Sequence, residues 1–209
     1  ICQLPVYAGI HSYKANSVLA QGKFVKIRIK ESGVYRLTFD DLNAMGVNPA
    51  NVRVFGYGGA LLHQSFMQPK IDDLPEIAIY VGSNYILFYA QGVNSWTYDT
   101  GRAMYTHLLN HYSNYGHYFV TSDAGEGKRI NSTDITLPQG ATVYDVNEFT
   151  DYAVHEKELV NLANSGKEFY GETFSDMLSL NLNFTFPNVL KQANAVKVRL
   201  DVAASATDI

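Results

Sequence analysis

Histidine and tyrosine are concentrated between residues 105 and 118, where the chain reads YTHLLNHYSNYGHY. His107 and His111 have the spacing at which a zinc-protease helix presents two metal ligands, and His117 could supply a third. Such a helix also places a general-base glutamate beside the first histidine, but Leu108 stands there. Asparagine, serine and glycine in the stretch disfavour a long helix. A metal enzyme that uses the three histidines is therefore only a third hypothesis, and neither a metal site nor a cofactor is predicted.

The same stretch favours molecular recognition over catalysis. A tyrosine ring offers an apolar face while its hydroxyl stays in water, so a tyrosine-rich loop can stack on sugar rings. The sequence therefore predicts an aromatic loop that could bind glycans. The residues assigned to this loop are Tyr105, His107, His111, Tyr112, Tyr115 and Tyr118.

Two further features invite a chemical interpretation. The run FGYGG, from residue 55 to 59, follows a strand-like segment as a phosphate-binding loop would. A dinucleotide site also needs a helix that opens at the third glycine, and residues 60–69 show no clear helical pattern. Glycines that turn the backbone at a strand end are the preferred interpretation. Cys2 is the single cysteine, so it cannot form an internal disulfide, and no catalytic role is predicted for it.

The composition limits the class of protein. The chain has 209 residues, of which 46% are hydrophobic and 17% charged, as expected for one large or two small globular domains. A net charge of −4 argues against a nucleic-acid partner. No apolar run approaches the roughly 18–20 residues of a membrane-spanning helix. Because Ile1 is not a methionine, we expect a processed chain or a piece of a longer protein.

Alternating apolar and polar residues predict strands in the first half of the chain. Residues 23–30 alternate strictly, Glu31-Ser32-Gly33 supplies a turn, and residues 34–39 return as a second strand, which predicts a β-hairpin. A second hairpin is predicted from the runs 77–81 and 85–89. A short helix should begin at Asp40 or Asp41 and end at Gly46. Further strands are predicted at residues 51–55, 96–98 and 117–121.

The second half of the chain carries weaker signals. A polar, glycine-rich stretch at residues 122–129 predicts a linker, so we expect one β module over residues 1–127 and a second over 128–209. A short helix is predicted at 156–163, and strands at 178–186 and 195–203. Two convincing strands rarely make a stable domain. We therefore expect the second module to be incomplete, the protein to continue past Ile209, and the two strands to pack on the first module or self-associate. The predicted class is mainly β, with antiparallel β-sandwich-like modules and one or two short helices.

Six blocks occur in an order that resembles a known family. They read SVLAQGKFVKIRIKESGVYRLTFDDLNAMGV, NPANVRVFGYGG, DDLPEIAIYV, ILFYAQGVNSWTYD, HYSNYGHYFVT and VHEKELVNLANSGKEFYGE, and FTFPNV comes after them. In this order they resemble the N-terminal region of the PorU-type sortases of type IX secretion, a family of gingipain-like cysteine peptidases. The resemblance runs from about Ser17 to Ala204.

The resemblance implies a role without chemistry for this chain. In that family the catalytic histidine and cysteine lie in a peptidase domain C-terminal to the β modules, so no catalytic residue can be assigned here. The implied role is to support or shield that downstream peptidase domain, and to dock partners such as outer-membrane secretion components. The resemblance also implies secretion to the cell surface or outer membrane. The full-length protein would remove a sorting domain from cargo and join the new carboxyl end to a surface polysaccharide.

A second hypothesis comes from a different class of protein. The tyrosine-rich loop alone is compatible with a free-standing adhesion or glycan-binding β module on the cell surface. The two hypotheses differ in the coding sequence expected downstream of Ile209: a peptidase domain there supports the first, and a nearby stop codon supports the second.

Overall fold

The computed structural model describes residues 13–65, 67–68, 70–123, 125–132, 136–166, 168–175, 177–191 and 196–204. Cys2 lies outside this range. The chain divides into two compact units, the first formed by Ile1–Ser95 with His107–Asp134 and the second by Trp96–Thr106 with Ile135–Ile209. The linker at 122–129 and the module boundary after residue 127 remain predictions.

The regular elements lie in the first two-thirds of the chain. The strands and the helix, in order, are β1 (Val25–Ile29), β2 (Gly33–Thr38), α1 (Phe39–Ala44), β3 (Arg53–Phe55), β4 (Glu76–Ile77), β5 (Tyr80–Val81), β6 (Tyr85–Ala90), β7 (Asn94–Asp99), β8 (Met104–Leu109) and β9 (Gly116–Thr121). Single 3₁₀ turns occur at Val18–Ala20 and Pro49–Asn51.

Two antiparallel sheets build the first unit. One has the strand order β1-β9-β3-β4 and the other β2-β6-β5, while β7 and β8 pair separately. Side chains from both sheets and from α1 meet in a buried apolar core, which confirms the mainly β, sandwich-like class. The core residues are Ile29, Leu42, Val47, Val52, Val54, Ile79, Ile86, Phe88, Ala90, Tyr118 and Val120.

The predicted hairpin at residues 23–39 is wrong, because β1 and β2 belong to different sheets. Ile27 of β1 lies opposite Tyr118 of β9, and Leu37 of β2 lies opposite Ile86 of β6. Alternation identifies which face of a strand is buried, but it does not identify the strand's partner. Residues 30–32 therefore cross between the sheets instead of turning within one.

The crossing between β1 and β2 is fixed by a residue far along the chain. Gly92 donates its N–H to the Ser32 hydroxyl at 3.0 Å. A Cβ atom on Gly92 would lie 2.4 Å from the Lys30 carbonyl oxygen, so only glycine allows this close approach. This contact has no local sequence signature, which is why the turn residues alone suggested a hairpin.

The second predicted hairpin is confirmed in part. β5 pairs with β6, and Gly82 donates to the Tyr85 carbonyl at 2.8 Å across the turn. Ile77, however, lies in β4 and pairs with Val54 of the other sheet. The run 77–81 thus passes from one sheet to the other through the buried Ile79.

The predicted short helix is confirmed, but its cap differs. The N-cap of α1 is Thr38, whose hydroxyl accepts from the Asp41 N–H at 3.1 Å. Asp41 returns a bond, its carboxylate accepting from the Thr38 N–H at 2.9 Å, which completes a capping box. Leu42 is fully buried against the sheets, and Gly46, with φ +75°, comes just after the helix end.

The strands and helix predicted after residue 150 are not found. Residues 177–191 and 196–204 form no strand, and Leu178 and Val198 are 91% and 86% exposed. Residues 156–163 hold no helix and contribute only an isolated antiparallel bridge between Val160 and Tyr170. An alternating sequence needs a hydrogen-bonded partner to become a strand. Nothing among the described residues of the second unit supplies that partner to these segments.

Candidate functional site

The residues of the predicted aromatic loop do not form one loop. Tyr105 and His107 lie on strand β8, and Tyr118 lies on strand β9. His111, Tyr112 and Tyr115 belong to the connection between these strands. The six residues therefore fall into three groups: two on strand β8, three in the turn after it and one on β9. Their role in binding glycans remains a prediction.

Tyr118 is a core residue. It is 2% exposed, and its hydroxyl accepts a hydrogen bond from the Gln91 N–H at 2.8 Å. Its ring lies 6.2 Å from the ring of Phe88. Burial raises the pKa of the Tyr118 hydroxyl, against a smaller opposing effect of the Gln91 hydrogen bond. A ring enclosed in this way is not available to a sugar, so Tyr118 does not belong to a recognition surface.

The glycine corner after β3 serves packing. A Cβ atom on Gly56 would lie 2.4 Å from the ring of Tyr118, and one on Gly59 would lie 2.7 Å from the Cα atom of Gly116. Asn110 donates its side-chain N–H to the Gly59 carbonyl at 2.8 Å. Residues 60–65 contain no helix. The glycines at 56 and 59 thus permit close packing at the end of β3, and residues 60–65 lack the helix that a dinucleotide-binding loop requires.

The three histidines are not assembled as metal ligands. Within the ranges that the structure describes, which include His107, His111 and His117, no group of three or more potential ligands could hold a metal ion. His117 lies on β9 opposite Arg28 of β1. Partial burial lowers the pKa of His117, and the positive charges of Lys26 and Arg28 lower it further.

The turn between β8 and β9 holds the exposed tyrosines. Tyr112 is 71% exposed and Tyr115 is 38% exposed. Ser113 donates its hydroxyl to the Tyr115 carbonyl at 2.8 Å, and the Tyr112 N–H donates to the Asn110 side chain at 3.0 Å. The guanidinium of Arg28 lies 5.1 Å from the centre of the Tyr115 ring. These bonds order the turn and present the two tyrosine rings to solvent.

An aromatic cluster in the second unit was not predicted. The ring of Trp96 lies 4.2 Å from that of Tyr152, and Tyr105 lies 5.2 Å from both Tyr152 and Tyr98. The alternation of Trp96 and Tyr98 on β7 could have signalled half of the cluster. Tyr152 comes from a segment without regular structure, so no local pattern pointed to it.

A charged cluster in the second unit was also missed. Glu172 lies 2.9 Å from His155 Nε2 and 3.0 Å from Lys157 Nζ. Hydrogen bonds from His155 and then Lys157 lower the pKa of Glu172 to about 2. The bridge between Val160 and Tyr170 brings the two segments together, with the Tyr170 N–H 2.7 Å from the Val160 carbonyl. This arrangement fixes a loop, and none of its groups faces a described cavity.

The described residues include no helix that is both long and apolar enough to span a membrane. The helical elements of this chain are one six-residue α-helix and short 3₁₀ turns, as far as the structure describes it.

Taken with the fold, these observations define an antiparallel β-sandwich-like protein. No protein-family model and no curated protein matches the chain. The structure is similar to the crystal structure of dimeric latent PorU from Porphyromonas gingivalis, with a TM-score of 0.60 and 36% sequence identity. The similarity covers 76% of this chain, whereas the chain spans only about 15% of the PorU chain. The chain therefore resembles one region of PorU.

Proposed function

We propose that this chain is a non-catalytic β region of a PorU-like protein, and that it supports or shields a downstream cysteine-peptidase domain. The observation that carries the proposal is the similarity to PorU, in which 36% identity accompanies a common fold over 76% of the chain. Identity at this level together with a shared fold favours descent from a common region over chance convergence. Fold similarity alone would support only the architecture.

The environments of Tyr118, Gly56 and His117 support a non-catalytic role. The Tyr118 hydroxyl is bonded inside the core, and Gly56 packs on the Tyr118 ring. Among the residues that the structure describes, the charges that act on His117 are those of the cations Lys26 and Arg28, whereas a general-base histidine is oriented by a carboxylate. These residues have structural explanations that require no reaction.

The proposal extends to location and partners. The PorU structure is described as latent and dimeric, so a β region that covers a peptidase domain offers a physical route to latency. We accordingly propose that the chain is secreted, is held at the cell surface or outer membrane, and docks outer-membrane secretion components. Its principal partner would be the peptidase domain of its own polypeptide.

A reconstitution experiment tests this function. The purified chain is mixed with a separately produced PorU-type peptidase domain, and thiol-dependent peptide hydrolysis is followed as the chain is titrated. We expect no hydrolysis by the chain alone, and a saturable change in the rate or the melting temperature of the peptidase domain. Thiol-dependent hydrolysis by the chain alone, abolished by a cysteine reagent, would refute the proposal. So would the absence of any association.

A second candidate function, glycan binding, rests on the exposed rings of Tyr112 and Tyr115. Exposed aromatic rings are suited to stacking on sugars. On a glycan array, binding that is lost in Tyr112→Ala or Tyr115→Ala and kept in Tyr144→Ala would support this function, since Tyr144 is equally aromatic and 81% exposed. An array without any bound glycan would exclude it.

A further inference from the structure

Strand β1 carries a row of cations on its outer face. Val25, Ile27 and Ile29 point towards the core, whereas Lys26 and Arg28 are exposed on the opposite side. The register of the sheet places Lys26 opposite Phe119 and Arg28 opposite His117 of β9. Residues that lie opposite each other on one face of an antiparallel pair are neighbours about 5 Å apart. The side chains of Lys26, Arg28 and His117 are therefore neighbours on this face of the sheet.

These positive charges are not neutralised within the described part of the chain. Lys26 is in no ion pair, and the contact of Arg28 is with the ring of Tyr115. Arg53, further across the same sheet, is instead paired with Glu76 at 2.8 Å. Among the described residues, Lys26 and Arg28 thus form a basic strip on β1 without a paired carboxylate, in a chain whose net charge is −4.

Strand β1 also lies at an edge of its sheet. β1 is the terminal strand in the order β1-β9-β3-β4, and no second described strand pairs with it. The free N–H and C=O groups of an edge strand form a template for another extended segment. Lysine on such an edge repels a basic strand and also disfavours the addition of a neutral strand. It attracts an acidic strand.

We propose that the free edge of β1 binds an extended acidic polypeptide segment as an added strand. Side chains on one face of a strand repeat every second residue, at about 6.5–7 Å. Carboxylates at alternate positions of the added segment would therefore meet Lys26 and Arg28 in turn. Main-chain hydrogen bonds would supply most of the affinity, and the two cations would select the acidic partner and fix its register. This inference does not depend on the function proposed above.

The test uses short labelled peptides and the full 209-residue chain. One eight-residue peptide alternates glutamate with valine and threonine, and a second carries lysine in place of each glutamate. Fluorescence anisotropy measures binding, and amide hydrogen exchange of residues 25–29 reports whether a strand is added. A heparin oligosaccharide serves as a polyanion that cannot form a strand.

The matched control lies on the other sheet. Arg36 is an outward residue of the edge strand β2 and is stacked 4.6 Å from the ring of Tyr85, much as Arg28 is stacked on Tyr115. Arg36 also adds to the lowering of the pKa of the Asp41 carboxyl, after the hydrogen bonds from Thr38. Arg36→Glu thus reproduces the chemical change on the edge strand of the other sheet. Circular dichroism verifies that each variant remains folded.

We expect the acidic peptide to bind and to slow amide exchange in β1, while the lysine peptide does not bind. Lys26→Glu/Arg28→Glu should weaken binding about tenfold or more, and Lys26→Gln/Arg28→Gln by a smaller factor, because opposite charges are replaced by like or neutral ones. Arg36→Glu should leave the affinity unchanged. The proposal is overturned by no binding, by equal binding of the two peptides, or by binding without protection of β1. It is also overturned if heparin competes fully while β1 exchange stays fast, which would indicate a general anion surface.

Discussion

Arg53 and Glu76 form a two-point ion pair between the neighbouring strands β3 and β4. Arg53 Nη2 lies 2.8 Å from Oε2 of Glu76, and Arg53 Nε lies 3.2 Å from Oε1. Both side chains are largely buried, at 19% and 12% exposure. Glu76 also accepts the backbone N–H of Lys128 at 2.7 Å, so one carboxylate joins three segments of the first unit.

Replacing this carboxylate should destabilise the first unit. Glu76→Gln removes the negative charge that the Arg53 guanidinium contacts at two points, and we expect the free energy of unfolding to fall by about 2–3 kcal/mol. Urea denaturation followed by circular dichroism measures the change. Glu31→Gln, at an exposed corner, is the control and should lie within about 0.5 kcal/mol of the parent chain.

The Arg53–Glu76 pair also predicts that the free energy of unfolding depends on pH. Burial opposes ionisation of Glu76, but the hydrogen bonds from Arg53 and Lys128, and the charges of both, lower its pKa overall. A lowered folded-state pKa means that the stabilisation is present above the unfolded value of about 4.3 and is lost as pH falls through the folded value. The difference in unfolding free energy between the parent chain and Glu76→Gln should therefore shrink below about pH 4. A difference that stays constant down to about pH 2 would exclude this ion pair as its source.

A single methyl group at the glycine corner should disturb the core. Gly56→Ala places a Cβ atom where the ring of the buried Tyr118 lies, only 2.4 Å from its Cδ1 atom. We expect a loss of about 1–3 kcal/mol, since the ring can move only by disturbing its own packing. Gly33→Ala is the matched control, because no atom lies within 4 Å of its added methyl group. Equal melting temperatures for the two variants would contradict the packing described here.

The charged cluster of Glu172, His155 and Lys157 in the second unit can be followed by pH titration. The side-chain carboxyl of Glu172 should titrate near a pKa of about 2, the value to which His155 and Lys157 lower it. His155→Ala and Lys157→Ala should each raise the midpoint, whereas Lys191→Ala should not. Carbon-detected NMR of the carboxyl group measures it. Because the folded-state pKa is lowered, the stabilising effect is complete above the unfolded value of about 4.3 and disappears towards about pH 2. A midpoint at the unfolded value would show that the cluster does not form in solution.

The single tryptophan reports on the aromatic cluster. Trp96 is the chain's only tryptophan, and its ring lies 4.2 Å from that of Tyr152. Tyr152→Ala exposes the indole to water, so its fluorescence emission should shift to longer wavelength. Tyr144→Ala removes an 81% exposed ring and should leave the spectrum unchanged. Identical spectra for all three proteins would mean that Tyr152 does not cover Trp96.

How far the sequence predicted this fold depends on the range of each contact. The short helix α1 was predictable because the Thr38–Asp41 capping box and Gly46 are local signals. For strands β1 and β2, the alternation correctly gave the buried face of β1. Their partners were not predictable, since β1 pairs with β9, which begins at residue 116, and Ser32 bonds to Gly92, 60 residues away. Whether residues 30–32 form a hairpin turn or a crossing between sheets is therefore determined by these tertiary contacts.

For the candidate site, too, local features could be predicted from the sequence and long-range contacts could not. The glycine corner was interpreted as a turn because the lack of a helical pattern after it is visible in the local sequence. Tyr118 was mistaken for a loop residue, since the frequency of tyrosine says nothing about which ring is enclosed by Phe88 and Gly56. In the second unit, exposed valines and leucines at 196–202 alternate as in a strand, but no described segment pairs with them. Their self-association, or their packing on the first unit, remains a prediction.

The most direct test of the proposed function is to isolate the native polypeptide with an antibody raised against this chain. Peptides of the isolated band are then identified by mass spectrometry. A β region of a PorU-like protein predicts one polypeptide longer than 209 residues that also yields peptides of a cysteine-peptidase domain C-terminal to Ile209. A band that ends at or near Ile209 and contains no peptidase peptides would contradict the account.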